Sequence, residues 1–365
     1  DDAKETATSG ELRIFTRNPE PFGGKQLLLV GDIYQLEPVV KEEDRQLLNP
    51  FYPSAYFFNA KVWQQMPIVS IELRKVYRQN DPSFIAILDR IRTNTATNND
   101  LSMLNSRVGS SSKGQQDQKK TDSASGPLTI TLATRRDTVD YINEVELSNL
   151  SGSPSTFFGT IKGDFPESSL PTPMELQLKP GAQIIFIKND KDKRWVNGTL
   201  GTIEYISEED GIIGIIDEEG KELDVEREVW ENMRYTFNEK EQRIEEELLG
   251  TYTQFPLRLA WAITVHKSQG LTFNKISIDF GGGGAFAGGQ TYVALSRCTS
   301  LEGITLQEPI RQSDIFVKAE VVNFANHYND HNLIDQALQE GKADREYREA
   351  IIAFDKGDFP HFLDA

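Results

Sequence analysis

The sequence predicts an α/β protein, and three segments carry that prediction. Residues 26–30 are Gln-Leu-Leu-Leu-Val, a continuous apolar run that ends in Gly31-Asp32. That is the form of a strand buried on both faces of a parallel sheet. Residues 128–134 are rich in β-branched side chains and run into a helix-like stretch over 138–150, while residues 275–280 alternate polar and apolar after Gly270-Leu271-Thr272. Strands that alternate with helical stretches build a layered sheet, and such sheets place function just beyond the carboxyl ends of their strands.

Between and around these segments the remaining elements follow in order. Residues 82–92, opened by Pro82, read as a helix. Residues 107–127 hold almost nothing apolar and read as a mobile surface loop, a tolerated insertion rather than a strand-engaging finger. From Leu178 to about Val229 the texture changes to short strands over 183–188, 197–203 and 212–217, with Asn197-Gly198 and Glu219-Gly220 as hairpin-type turns. This predicts a small all-β module inserted in the α/β chain. The charge run 239–247 reads as a solvated helix or loop, and the stretch from Ser313 onward as helices packed on the outside.

Composition bounds the function classes. With 365 residues, two or three domains are expected at roughly 100–200 residues each. Hydrophobic residues are 38% and charged residues 26%, and no run approaches the roughly 18 apolar residues of a spanning helix. The first residues resemble no secretory signal, so an intracellular, cytoplasmic protein is expected. The single cysteine, Cys298, excludes an internal disulfide framework and fits a reducing compartment. A formal net charge of -17 argues against non-specific adhesion to nucleic acid or membrane, so any nucleic-acid contact must use a local groove, to which Arg74, Lys75, Arg78 and His266 are assigned. The acidic excess is then expected on the β module and the charge run. Low cysteine and brevity suggest a bacterial or phage source.

Four stretches concentrate chemistry. Gly31-Asp32-Ile33-Tyr34-Gln35-Leu36 places an acid and an amide after the first strand, where a glutamine can bond a terminal phosphate oxygen or a water aligned on it. Arg74, Lys75 and Arg78 put three cations ahead of the 82–92 helix, and arginine's planar fork suits a transferring phosphoryl group. In residues 259–272 an apolar segment runs straight into His266-Lys267-Ser268-Gln269-Gly270, where donors surround a permissive glycine that lets backbone approach a phosphate. In Gln290 to Cys298, Tyr292, Ala294, Leu295 and Cys298 have helix-compatible spacing. Arg297, flanked by small and apolar residues, calls for an anionic partner, carboxylate or phosphate.

Taken in order, these phrases resemble motifs three to six of superfamily-one DNA helicases, specifically the Pif family and its RecD-like relatives. The resemblance rests on Pro21-Phe22-Gly23-Gly24, Gly31 to Leu36, Val76-Tyr77-Arg78-Gln79, the run from Ala260 to Thr272, and Tyr292 to Arg297, and spans about Phe22 to Gly303. Glu37 departs from the family's usual proline, at a position that shapes a loop. The resemblance implies RecA-like motor domains of the phosphate-loop NTPase type with an inserted SH3-like β-barrel. Residues 1–70 would be a remnant of the first motor domain, 71–177 with 252–312 the second, 178–251 the barrel and 313–365 a helical extension. It further implies Gln35 as the coupling glutamine, Arg78 and Arg297 as arginine fingers, and Asp32 and Gly270 at the nucleotide. Thr264, His266, Lys267 and Ser268 would be the link to the nucleic acid. The implied partners are single-stranded DNA and forked duplex DNA, engaged by a monomer that moves 5′ to 3′ and touches no membrane.

Phosphate-loop helicases also need G-x-x-x-x-G-K-[ST] and a following Asp-Glu for magnesium. No Gly-Lys pair in the sequence has that context, and no Asp-Glu pair precedes Gly31. In the family both lie upstream, which implies that the chain is the C-terminal part of a helicase. ATP and Mg2+ would serve the whole protein, while these residues alone would bind neither stably, would hydrolyse no ATP and would hold no metal. The alternative is a non-catalytic nucleic-acid-binding or protein-interaction module derived from such a motor; a nucleotide-sensing switch without unwinding is a third reading.

Overall fold

The computed structural model describes residues 21–64, 66, 68–109, 128–238 and 243–356. Most of the polar segment expected as a loop, and the first four residues of the charge run, lie outside the described residues. In chain order the helices are α1 (Glu42–Leu48), α2 (Pro82–Arg92), α3 (Asn98–Asn105), α4 (Arg136–Asn149), α5 (Gln290–Ser296), α6 (Ala319–Ala325) and α7 (His331–Asp355). The strands are β1 (Thr129–Ala133), β2 (Ser155–Phe158), β3 (Thr160–Gly163), β4 (Glu175–Leu178), β5 (Gln183–Phe186), β6 (Leu200–Ser207), β7 (Ile212–Asp217), β8 (Glu222–Val225), β9 (Glu228–Asn238), β10 (Arg243–Gln254), β11 (Leu257–Leu259), β12 (Ala262–Thr264), β13 (Lys275–Asp279) and β14 (Ile304–Leu306). The chain divides into two compact units, one of Asp1–Ile33, Glu37–Lys75 and Lys318–Ala365, the other of Tyr34–Leu36 and Val76–Val317.

The larger unit is built on a four-stranded parallel sheet in the order β12-β1-β13-β14. Its strands bury Ile130, Leu132, Ile276 and Ile304 completely, each worth about 1.5–3 kcal/mol of transfer from water. Phe84, Ile87, Leu88 and Ile91 of α2 and Val293, Ala294 and Leu295 of α5 join the same core. α2 starts where it does because Asp81 caps it, accepting from the Ser83 amide at 2.8 Å, with Pro82 preset for the first turn. α3 begins with a capping box of Thr97 and Asp100, and Arg90 grips the buried Asp100 through two bonds of 2.5 and 2.7 Å. That grip holds the Asp100 carboxyl well below the usual carboxylate range. At the sheet edge, the Asn143 side chain of α4 accepts from the Ala262 amide at 3.0 Å and donates to its carbonyl at 2.9 Å, standing in for a neighbouring strand.

The β-rich region runs from β2 to β11, starting earlier and ending later than residues 178–251. Its main sheet is five antiparallel strands in the order β11-β5-β6-β7-β8, over a core that includes Leu178, Ile184, Phe186, Ile203, Ile213 and Val225. Gln183, itself buried, donates to the carbonyls of Thr129 and Ala260 at 3.0 and 2.8 Å and ties this module to the parallel sheet. A second sheet, β3-β10-β9, carries a long two-stranded ribbon. It kinks between Leu248 and Gly250, where a Cβ on Gly250 would lie 2.5 Å from the Asp164 carbonyl oxygen and only glycine fits. Residues 243–247, expected as a helix or loop, are strand here. Glu246 shares one face with Ile244 and Leu248, and Glu245 and Glu247 lie on the other, in a pairing whose cross-strand partners satisfy the backbone.

In the smaller unit, α6 and α7 fold together with residues 21–33 and 37–75. Phe324 of α6 stacks on Phe58 at 4.5 Å and meets Phe57 edge-on at 5.7 Å, and the Asn329 amide donates to the Ser70 carbonyl at 2.9 Å. Residues 26–30 form no strand. Leu28 and Val30 are 88% and 87% exposed, because no described strand pairs with this apolar run and a lone strand leaves its backbone and side chains to water.

Candidate functional site

In the larger unit the functional phrases meet around the turn that follows β12. Thr264 ends the strand. The Ser268 amide donates to its carbonyl at 3.1 Å, and the Lys267 amide to its Oγ1 at 3.3 Å. Ser268 is fully buried and its Oγ donates to the Val265 carbonyl at 2.7 Å, so its hydroxyl shapes the turn from within. Gly270 follows at φ +81, a left-handed conformation that favours glycine, with no heavy atom within 4 Å of where a Cβ would sit. Its backbone therefore faces open space. His266 is half-buried and Lys267 reaches the surface. Protein packed around the Lys267 ammonium, and the nearby Arg258 and Arg136 guanidinium groups, push its pKa down.

Both arginines singled out in the sequence converge on this turn. Arg78 donates from Nε to Thr272 Oγ1 at 2.9 Å and from Nη1 to the Ser296 carbonyl at 3.0 Å. Partial burial among these neutral oxygens lowers its pKa, and an anion brought to it would repay that cost. Arg297 is only 2% exposed. Its Nε donates to the Val293 carbonyl at 3.1 Å, Nη1 to those of Ser268 and Leu271 at 3.4 and 3.3 Å, and Nη2 to Ser296 Oγ at 3.2 Å. Carbonyl dipoles at the end of α5 and inside the turn thus face the Arg297 guanidinium and favour a cation there.

Gln35 lies on the same turn, its Oε1 accepting from Gln269 Nε2 at 3.4 Å. The backbone that carries it crosses the start of α5 so closely that a Cβ on Gly289 would lie 2.5 Å from the Gln35 carbonyl oxygen and 2.6 Å from that of Tyr34. Gly289, at φ +80, is thus required both for the approach and for the conformation. Gln35, Arg78, Gly270 and Arg297 are thereby brought together with the 264–268 segment. Asp32, half-buried, belongs to the smaller unit, as do Arg74 and Lys75 from the expected basic groove. Arg74 sits 3.7 Å from the Glu72 carboxylate. Glu37, the departure from the family phrase, is paired with Lys318 inside that unit.

Sequence reasoning passed over Gln79, which is buried and donates from one amide nitrogen to the carbonyls of Ser296 and Cys298 at 3.1 and 2.8 Å. It brackets the peptide of Arg297 while its neighbour Arg78 holds the same Ser296 carbonyl. A glutamine next to an arginine singled out in the sequence was the available signal. Gln290 was also missed; its Oε1 accepts from the amides of Phe286 and Ala287 at 2.9 and 3.1 Å and pins the glycine-rich loop before α5. Among the described residues no group of three metal-ligating side chains comes together, and no helix is long and apolar enough to cross a membrane.

Comparison with known proteins decides what this arrangement belongs to. A family model described as PIF1-like helicase matches residues 10–109. The chain is 32% identical over 352 residues to the ATP-dependent DNA helicase Pif1 of Campylobacter jejuni, covering 90% of this chain and 74% of that protein. The chain belongs to the Pif1 helicase family. It is also 34% identical over 303 residues to the human ATP-dependent DNA helicase PIF1, covering 80% of this chain but only 42% of that longer protein. A crystal structure of a Bacteroides Pif1 helicase in complex with ADP-AlF3 and single-stranded DNA is 37% identical, with a TM-score of 0.60 over 84% of this chain and 68% of that one. The α/β, RecA-like class expected from the motifs is the class of these Pif1 folds.

Proposed function

We propose that the chain is the arginine-bearing part of an ATP-dependent DNA helicase that moves 5′ to 3′ along a single strand and opens forked duplexes. The observation that carries this reading is the meeting of Gln35, Arg78, Gly270 and Arg297 on one turn whose first residue, Thr264, ends a strand of the parallel sheet. The names of the Pif1 relatives support it, as does the nucleotide and single strand held by the Bacteroides protein.

ATP would supply the phosphoryl group whose transfer to water drives the motor, and the residues present fit a phosphate. Gly270 leaves open space at a bare backbone, and Arg78 is a partly desolvated cation held by neutral oxygens. Gln35, oriented by Gln269, is proposed to align a water or bond a phosphate oxygen, with Asp32 assigned beside it on the motif alone. Arg78 is proposed as the direct finger. Arg297 becomes the second when its Nη1 exchanges two long bonds, which are weak and cheap to give up, for phosphate oxygens. Because Arg297 grips the carbonyls of Ser268 and Leu271, such an exchange releases the turn that presents Thr264, His266 and Lys267. These three are proposed to face the DNA backbone while Ser268 shapes the turn. The β module is proposed as the SH3-like insertion.

The sequence contains no phosphate-loop motif, so these 365 residues are proposed to hydrolyse no ATP by themselves and to hold neither nucleotide nor magnesium stably. The test is a salt titration of a fluorescent single-stranded oligonucleotide with the 365-residue chain, with and without a non-hydrolysable ATP analogue. Expected is binding that weakens with salt, by a slope of roughly 0.7 per phosphate neutralised, and that ignores the nucleotide. Absence of binding at modest salt, or a DNA-dependent ATPase rate from the same preparation, would sink the reading.

A further inference from the structure

The distal half of the β9–β10 ribbon stands apart from the rest of its sheet. β3 pairs only with Thr160↔Thr253 through Gly163↔Gly250, so residues 233–238 and 243–248 have one another and no third strand among the described residues. A two-stranded ribbon is marginal in water without an apolar face covered by something. Here the register puts Met233 opposite Leu248 and Tyr235 opposite Glu246, with Ile244 one pair further out, all on one face. That face is open: Tyr235 is 64% exposed, Ile244 66% and Leu248 52%.

Two more features accompany the bare face. β9 is the outer strand of its sheet, eleven residues long, so its outer backbone edge has no partner strand among the described residues. Natural sheets blunt such edges with proline, lysine or a bulge, and β9 contains neither residue while the one irregularity lies in β10. The charges nearby are mainly carboxylates: Glu231 and Glu246 lie on the apolar face itself, and Glu245 and Glu247 on the opposite one, against Arg234, which sits 3.6 Å from Glu247.

We propose that β9 is a docking edge for an extended segment of a partner protein, added as a further strand and carrying cations and apolar side chains in turn along one of its faces. The geometry sets the pattern. On the bare face the incoming strand meets Glu231, Met233 and Tyr235 in succession, so it should present Lys or Arg, then an apolar side chain, then an apolar or cationic one that can lie over the Tyr235 ring beside Glu246. Backbone pairing along the edge provides affinity, and the carboxylates select the sign of charge. A nucleic acid is the wrong occupant for a surface of this charge, and a second copy of the same edge would set Glu231 and Glu246 against their own kind. This proposal is independent of the helicase reading, since the ribbon carries none of the residues assigned to nucleotide or DNA.

The test uses the 365-residue chain labelled with 15N and the eight-residue synthetic peptide Lys-Ser-Val-Ser-Lys-Ser-Val-Ser, which sets Lys and Val in turn on one face of a strand, with the same peptide carrying Glu in place of Lys as control. Expected are amide shifts along β9 with the cationic peptide only. In a Glu231→Lys, Glu246→Lys double variant, whose fold is checked by circular dichroism, affinity should fall about fivefold to tenfold. Tyr235→Ser is a second variant with the same expected direction. Shifts confined to other regions, equal response to both peptides, or no response overturns the proposal. So does concentration-dependent self-association through β9, which would make a second copy the occupant, or displacement of the peptide by a single-stranded oligonucleotide at the same amides.

Discussion

Two apolar runs of similar length behave in opposite ways in this chain. Residues 129–133 form β1, in the middle of the parallel sheet, paired on one side with β12 and on the other with β13. Residues 26–30 are more apolar still, yet they form no strand and Leu28 and Val30 are almost fully exposed. The difference lies in neighbours. A strand's backbone groups are satisfied only across a ladder, and its side chains are buried only if helices cover both faces. β1 has both, with α2, α4 and α5 supplying the cover. An apolar run is therefore a statement about what a segment needs, and the rest of the fold determines whether it is met.

That comparison predicts a large asymmetry in stability. Leu132→Ala removes a fully buried side chain from the sheet and is expected to cost about 2–5 kcal/mol in urea unfolding, whereas Leu28→Ala should stay within about 0.5 kcal/mol. Equal effects would mean that residues 26–30 are buried in solution. The neighbour rule can be sharpened at the sheet edge, where Asn143 replaces a strand. Asn143→Ala leaves the Ala262 amide and carbonyl unpaired and should cost about 1–3 kcal/mol, with faster hydrogen exchange at the Ala262 amide. Unchanged exchange would show that the side chain is not the partner.

Gln79→Leu takes the comparison to the candidate site, where a buried amide does for two arginines what a strand does for its neighbour. Loss of its bonds to Ser296 and Cys298 should cost about 1–2 kcal/mol, and the side-chain Nε resonances of Arg78 and Arg297 should broaden or shift together. If only one arginine responds, the bracket is not shared. The smallest effect is expected at Asp190, in the loop after β5. Four donors, led by the Arg194 guanidinium, bring its pKa down to about 2. A carboxylate whose pKa is depressed by folding stabilises the native state fully above about pH 4 and loses that contribution as pH falls towards 2. Asp190→Asn should therefore flatten acid unfolding in that window and leave the neutral-pH slope unchanged.

Much of the fold was legible because its signals are local. The helix at residues 82–92 announced itself through Pro82, β1 through β-branched side chains, β13 through polar and apolar alternation, and the β module through turn dipeptides such as Asn197-Gly198. The charge run was misread because charge density signals exposure, and an exposed ribbon strand is as solvated as a helix. At the site, Arg78 was visible in a cluster of cations, Gly270 as a permissive glycine among donors, and Arg297 as a charge flanked by small and apolar residues. Gln79 and Gln290 were not, since an amide that satisfies distant backbone groups leaves no periodicity and no charge.

By itself the sequence determined the α/β class, the ordered motifs that place the chain in the Pif1 family, and the absence of a phosphate-loop motif, since all three are written in residue types and short spacings. Only the tertiary structure decided that Arg297 is buried against the carbonyls of Ser268 and Leu271, and that Gln35 reaches the 264–272 turn across Gly289. It also decided that Ser268 faces inward and that β9 is the outer strand of its sheet. Each of these depends on which groups separated by tens to hundreds of residues come within hydrogen-bonding reach, and a residue's type does not say which distant backbone will arrive to meet it.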